Sequence, residues 1–176
     1  MHPPVVVVDD HDNEVGSAPL AEVRQKGLYH RVVAVFVIDN KGRMLLQLRG
    51  TGVKVYPNYW DQAAGGHVDQ GQTYQTTAIS ELAEELGLYN LALTELGTYR
   101  SNTQEGDRLI NQFERVYKVA VPHDIALNPE KSEINKLQWF TPLELKLLIT
   151  RQANTCTPGL LHDLAAYFPE FSPDEL

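Results

Sequence analysis

Three carboxylates crowd one side of a short segment, and that crowding limits what the chain can build around it. Glu81, Glu84 and Glu85 stand at i, i+3 and i+4 within Ser80-Glu81-Leu82-Ala83-Glu84-Glu85-Leu86-Gly87-Leu88. At ~100° per residue they occupy roughly a third of a helix circumference. Ile79, Leu82, Ala83 and Leu86 fall on the opposite side and read as a core-facing stripe. Like charges so close repel one another, so the pattern costs stability unless a cation sits among them. Oxygen-only donors suit a hard divalent ion such as Mg²⁺ or Mn²⁺. Alone, such a pattern is more often a solvated acidic helix face. The glycine turn ahead of it, Gly66-His67-Val68-Asp69-Gln70-Gly71-Gln72, shifts the balance toward a cation site.

With that turn included, the segment resembles the Nudix box: a Gly, five residues, a Glu, seven residues, then Arg-Glu-apolar-x-Glu-Glu-x-Gly-apolar. Gly66, Glu81, Leu82, Glu84, Glu85, Gly87 and Leu88 fall at box positions, while Gln72 and Ser80 stand where the pattern has Glu and Arg. The flanks are Leu28-Tyr29-His30-Arg31, and Tyr56-Pro57-Asn58-Tyr59-Trp60-Asp61 before Ala64-Gly65-Gly66-His67-Val68. They look like the branch of Nudix proteins related to isopentenyl-diphosphate isomerase. The likeness covers roughly residues 4 to 150.

The resemblance implies an α/β/α sandwich with a mixed sheet, and a hydrolase that cleaves a small diphosphate compound. A nucleoside diphosphate linked to another group is the expected substrate. Glu81, Glu84 and Glu85 would be the catalytic carboxylates and the Mg²⁺ or Mn²⁺ ligands, joined by a backbone carbonyl near Gly66. The base that activates water is Glu81, or a loop glutamate, Glu130 or Glu133. Arg49 would face the substrate phosphates, as a guanidinium fits a diphosphate well; Lys54 is a weaker candidate. Gln72 and Ser80 replace a pair that orients the helix, so the site reads as retuned. A catalytically weak or inactive nucleotide- or diphosphate-binding module is the alternative.

His30 and His67 match metal-binding histidines of the isomerases, but the further acidic ligands appear as Gln112, or only nearby as Glu114. Satisfied structural histidines therefore fit better. Isomerisation also needs a cysteine proton donor beside the histidine of the turn, and Cys156 lies far from it in sequence. Tyr59, Trp60, Trp139 and Phe140 border strands and read as core more readily than as base-stacking platforms.

A net charge of −8 argues against binding a nucleic-acid polymer or an anionic membrane. One cysteine excludes an internal disulfide. The start lacks a basic region and a long apolar run, so a soluble, cytoplasmic protein is expected. Length and patterning fit one domain over 1–176: an N-terminal hairpin (1–27), the Nudix core (28–150) and a helical segment (151–176). Strands are predicted at 5–9, 31–39, 44–49, 61–67, 91–100, 111–121 and 137–140, with a polar loop at 101–107. Thr73 and Gly87 are predicted to cap the acidic helix. Thr141 is predicted to cap a helix from Pro142, and 158–167 to form a last one.

Overall fold

The computed structural model describes residues 3–106 and 108–171. In chain order the elements are β1 (Val5–Val8), β2 (Glu14–Ala18), α1 (Leu20–Lys26), β3 (Tyr29–Asp39), β4 (Met44–Arg49), β5 (Trp60–Gln62) and β6 (Ala64–His67). These are followed by α2 (Tyr74–Leu86), β7 (Thr94–Glu105), β8 (Arg108–Val121), β9 (Ile134–Phe140), α3 (Pro142–Arg151) and α4 (Pro158–Tyr167).

β3 organises the sheet. Its residues from Val32 to Val37 are all buried, because helices cover both faces. Val33, Val35 and Val37 pack in the cluster that holds Ala78, Leu82 and Leu86 of α2. Ala34 and Phe36 pack on the other face with Leu145 of α3 and Leu160 and Leu164 of α4. β8 runs parallel along β3 from His30↔Gln112 to Asp39↔Val121. The other edge of β3 is shared by β1, β6 and β4, all antiparallel. The result is a mixed nine-stranded sheet between helices, the α/β/α sandwich expected from the sequence. Among the described residues, no helix is long and apolar enough to cross a membrane.

The structure corrects four local expectations. The strand predicted over 61–67 is two strands: β5 pairs with β4, and β6 with β3, the chain changing partner at Ala63. The loop predicted over 101–107 is the end of a long ribbon, paired in register from Ser101↔Gln112 to Glu105↔Arg108. Asp107 lies outside the described residues. The polar composition that reads as loop reflects a ribbon with solvated flanks. β9 starts at Ile134 rather than 137, and β7 at Thr94 rather than 91. Finally, α2 buries only part of the predicted stripe: Leu82 and Leu86 are buried and Ala83 half-buried, but Ile79 is not. Ile79 is 45 % exposed, whereas Glu85 is 7 % exposed. The buried row runs through Tyr74, Ala78, Leu82, Glu85 and Leu86, so the helix turns part of its acidic face inward.

Thr73 does cap α2. Its hydroxyl accepts from the Thr76 N–H (3.2 Å), while the Thr76 hydroxyl accepts from the Thr73 N–H (2.8 Å). Gly87 closes the helix in the left-handed region, φ 68°. The reciprocal bonds predict that Thr73→Ala lowers stability by about 1 kcal/mol in urea unfolding. Gln75→Ala, on the exposed face of the same turn, should stay within about 0.5 kcal/mol. Equal losses would mean that the cap is not what starts α2.

Candidate active site

The inward turn of α2 puts its carboxylates against the backbone of β6. A Cβ built on Gly66 would overlap the Glu81 carboxyl, so only glycine admits that side chain so close to the main chain. Gly65 is the more strictly constrained, since a Cβ there would come 2.7 Å from the Val33 main-chain carbonyl oxygen. Glu85 accepts from the Gly65 N–H and from Gln47 Nε2, both at 3.3 Å. Glu84 is exposed beside them. All three glutamates and Gly66 line one cavity of about 990 Å³, a size suited to a small organic ligand.

The electrostatics of this corner are those of an acidic cluster. Burial pushes the Glu81 carboxyl up to about 8, and the charges acting on it, Glu84, Glu133 and Asp69, are all negative. Burial raises Glu85 well above the ordinary range, and Glu81 and Glu133 push the same way. Among the described residues, the tightest trio of ligand-type groups is instead Asp9, Asp10 and His11 on the exposed first hairpin, mutually within 4.8 Å. The glutamates of α2 stand further apart, as mutual repulsion dictates. Their chemistry nonetheless fits Mg²⁺ or Mn²⁺: carboxylate oxygens, with the Gly66 main chain beside them where no Cβ intervenes.

Other sequence candidates sort by position. Glu130 and Glu133 both line the cavity. Their loop is tied down, the Glu130 N–H donating to the Glu85 carbonyl (3.0 Å) and Gly50 N–H to the Glu133 carbonyl (2.7 Å). Arg49 also lines it, but its Nη1 donates to the buried Asp61 (2.9 Å) and its Nε to the Val55 carbonyl (3.2 Å). Asp61 in turn accepts from Thr157 (2.7 Å), whose hydroxyl caps α4. Lys54 is not among the lining residues; its carbonyl accepts from Arg108 across to the ribbon (2.8 Å). Gln72 accepts from the Thr77 hydroxyl (2.8 Å), so the first box departure is absorbed locally. Ser80 sits half-buried on α2.

His30 and His67 are stacked, ring centroids 5.3 Å apart. Burial, with Arg24 adding to it, lowers His30 to about 4, so its imidazole is neutral. Arg24 Nη2 lies 3.5 Å from His67 Nε2. Since a guanidinium only donates, that nitrogen's lone pair faces a fixed cation, which does not fit a metal there. Glu114, next to Gln112, instead meets Tyr99 and Asp163, burial raising both carboxyls. Cys156 packs in the core beside α4, its thiol pushed up to about 11 by burial, and it does not line the cavity. Trp60 and Phe140 meet edge to face at 5.1 Å as core-side aromatics, and neither they nor Tyr59 or Trp139 line the cavity. Tyr56 and Arg24 do line it and were not singled out by the sequence. No local pattern marks either, because α1 and the 50–58 loop reach the cavity only through tertiary contacts.

The raised carboxyls predict how the metal-free protein responds to pH. Folding favours the protonated forms of Glu81 and Glu85, so their stabilisation is complete below about pH 4.5, the ordinary glutamate value, and fades as pH rises through about 8 for Glu81. Tm of the metal-free protein should therefore fall between pH 5 and pH 8.5, and Glu81→Gln should flatten part of the slope. Mg²⁺ should raise Tm more at pH 8.5 than at pH 5, because it binds the ionised carboxylates. A metal response equal at both pH values would contradict this.

Comparisons with known proteins agree with this geometry. Residues 28–158 match the NUDIX domain family. An uncharacterised Nudix hydrolase of Pseudomonas aeruginosa is 35 % identical over 91 % of this chain and 90 % of its own length. An isopentenyl-diphosphate Delta-isomerase of Nocardia farcinica is 32 % identical over 89 % of this chain and 90 % of its own. The crystal structure of DR0079 from Deinococcus radiodurans superposes with a TM-score of 0.78 at 22 % identity, over 94 % of this chain and 99 % of that one. Sequence, fold and glycine-helix geometry converge: the chain belongs to the Nudix family, within which it is a hydrolase of the type that acts on diphosphates.

Proposed function

We propose that this protein is a metal-dependent pyrophosphohydrolase for a small compound in which a nucleoside diphosphate is linked to another group. The observation that carries the reading is the placement of Glu81, Glu84 and Glu85 with Gly66 along one cavity, where the charges acting on Glu81 are carboxylates. Such a set is costly without a cation and complete with one. Mg²⁺ or Mn²⁺ held there would clamp phosphate oxygens and acidify a water. Glu81, whose carboxyl lies against the Gly66 backbone, would take that water's proton. The water oxygen would then bond to phosphorus as the bridging P–O bond breaks, the phosphate-bearing half departing with the bond's electrons. Glu85 is held in orientation by Gln47 and the Gly65 N–H.

The isomerase relative raises a different chemistry, proton transfer to carbon, which needs an acid–base pair on the substrate. The thiol of Cys156 is buried away from the cavity, which supports hydrolysis over that reading. A second reading, a diphosphate-binding module with little turnover, is supported by Gln72 and Ser80, which remove the ion pair of the box. Gln72 satisfies itself on Thr77 instead.

A screen of nucleoside di- and triphosphates, sugar nucleotides and dinucleotides with Mg²⁺ or Mn²⁺ separates the two. Hydrolysis predicts release of a nucleoside monophosphate, and Glu81→Gln should lower kcat/KM by about 10²-fold or more. Glu95→Gln, a control on β7 outside the box, should change it less than about twofold. Metal-dependent nucleotide binding with no turnover across the screen would establish the binding module instead.

A further inference from the structure

We infer that the cavity face of the β7–β8 ribbon binds the group linked to the diphosphate, and that it takes a hydroxyl-bearing group, a sugar, in preference to a prenyl chain. The inference rests on the diphosphate reading above and names the class of compound for it.

The split in the sheet lets one ligand reach both the α2 glutamates and the ribbon. β3 and β4 pair only at Val37↔Leu45 and Ile38↔Met44. Beyond those pairs β6 stays with β3 and β5 with β4, so the sheet opens between two halves. Successive strand residues point to opposite faces, yet Val32 and Val33, Asp61 and Gln62, and Gly66 and His67 all line one cavity. The cavity therefore passes through the opening and serves both faces. Asp61 lies close enough to Glu85 and to Glu114 for its charge to act on each. Glu114 and His67 are both paired with Val32, so β8 runs two strand spacings, roughly 10 Å, from β6.

The ribbon turns one face to this space. The cross-strand pairs Tyr99↔Glu114, Ser101↔Gln112 and Thr103↔Ile110 put six side chains on that face, and all six line the cavity. The other face is committed to the protein: Phe113 packs on Tyr29 at 5.7 Å, and Asn102 donates to the Tyr29 hydroxyl. Arg100 belongs to that second face. It lines the cavity as well, but it is exposed and holds its guanidinium over the Tyr29 ring at 5.6 Å.

Chemistry assigns the ligand. The cavity face of the ribbon carries no lysine or arginine, so it is not built to receive a phosphate. Its hydroxyls, amide and carboxyl both donate and accept, as the hydroxyls of a sugar do. Among the described residues the Ser101 and Thr103 hydroxyls meet no hydrogen-bond partner, and Gln112 donates only to Glu114, at 2.9 Å. Their remaining capacity is open to a ligand. The aromatic ring of this face, Tyr99, is already stacked on His162, centroids 3.8 Å apart, so the face is not shaped for a nucleobase. A prenyl chain would find one aliphatic residue there, Ile110, and would strip water from the polar groups without replacing its hydrogen bonds.

The test is calorimetric titration of the full-length protein with Mg²⁺, with Glu81→Gln as background where turnover intrudes. The ligands are ADP, GDP, UDP and CDP, each beside its hexose conjugate, and isopentenyl diphosphate. At least one conjugate should bind about tenfold more tightly than its own diphosphate and than isopentenyl diphosphate, the scale of one or two hydrogen bonds. Ser101→Ala combined with Thr103→Val should cancel that advantage while changing affinity for the diphosphate less than about twofold. Neither hydroxyl holds the fold together, and thermal unfolding of the double variant should match the parent. Gln104→Ala, on β7 but outside the cavity, should bind like the parent. No conjugate preferred over its diphosphate, an advantage that survives the double substitution, or tighter binding of isopentenyl diphosphate overturns the inference and leaves the hydrolase reading intact. An equal loss for a conjugate and its diphosphate assigns the ribbon to the nucleoside and overturns the inference too. Conjugates that bind in the expected pattern but are not turned over by the parent support the ribbon subsite and remove the hydrolase reading.

Discussion

The close approach of α2 to the Gly65–Gly66 backbone is the contact on which the rest of the site depends. A Cβ at Gly66 would displace the Glu81 carboxyl from its seat on the main chain, while at Gly65 the obstruction is the Val33 carbonyl of β3. α2 also turns Glu85 inward, where the Gly65 N–H and Gln47 donate to it. The helix gains its docking from Ala78, Leu82 and Leu86 against the valines of β3. Hydrophobic burial thus holds in place a set of carboxylates that repel one another. Burial and charge repulsion are opposed at this corner.

Elsewhere along the same cavity a different solution is used. Asp61 is buried, but Arg49 and Thr157 satisfy it within the protein. Glu114 and Asp163 approach one another beside Tyr99, and burial raises both carboxyls, so a proton is retained between them. These contacts fasten α4 to the sheet through the N-cap Thr157 and through Asp163. The acidic residues there therefore read as internal fasteners. On α2, Glu85 accepts from Gln47 and the Gly65 N–H, while the charges acting on Glu81 are other carboxylates, and this contrast marks the α2 cluster.

Much of the architecture is legible in sequence because it is local. The caps of α2, the Gly27 stop and the β3–β4 hairpin follow from residues within a few positions of one another. What the sequence hides is long-range. Polarity over 101–105 suggests a loop, yet pairing with Gln112 to Arg108 makes it a strand. Periodicity puts Ile79 in the core, but docking onto β6 rotates it into solvent. The box glutamates are recognisable by spacing, whereas Arg24 reaches His67 from 43 positions away. Likewise, nothing in the local sequence shows that Arg49, which lines the cavity, pairs with Asp61.

The central claim is that the carboxylates over Gly66 form a divalent-cation site. Crystals soaked in Mn²⁺ and measured at the manganese absorption edge test it directly. An anomalous peak within coordination distance of the α2 glutamates and the Gly66 carbonyl is the expected result, at roughly 2.0–2.3 Å from oxygen for a hard divalent ion of this kind. A peak confined to Asp9, Asp10 and His11, or none at the glutamates under saturating Mn²⁺, would contradict it.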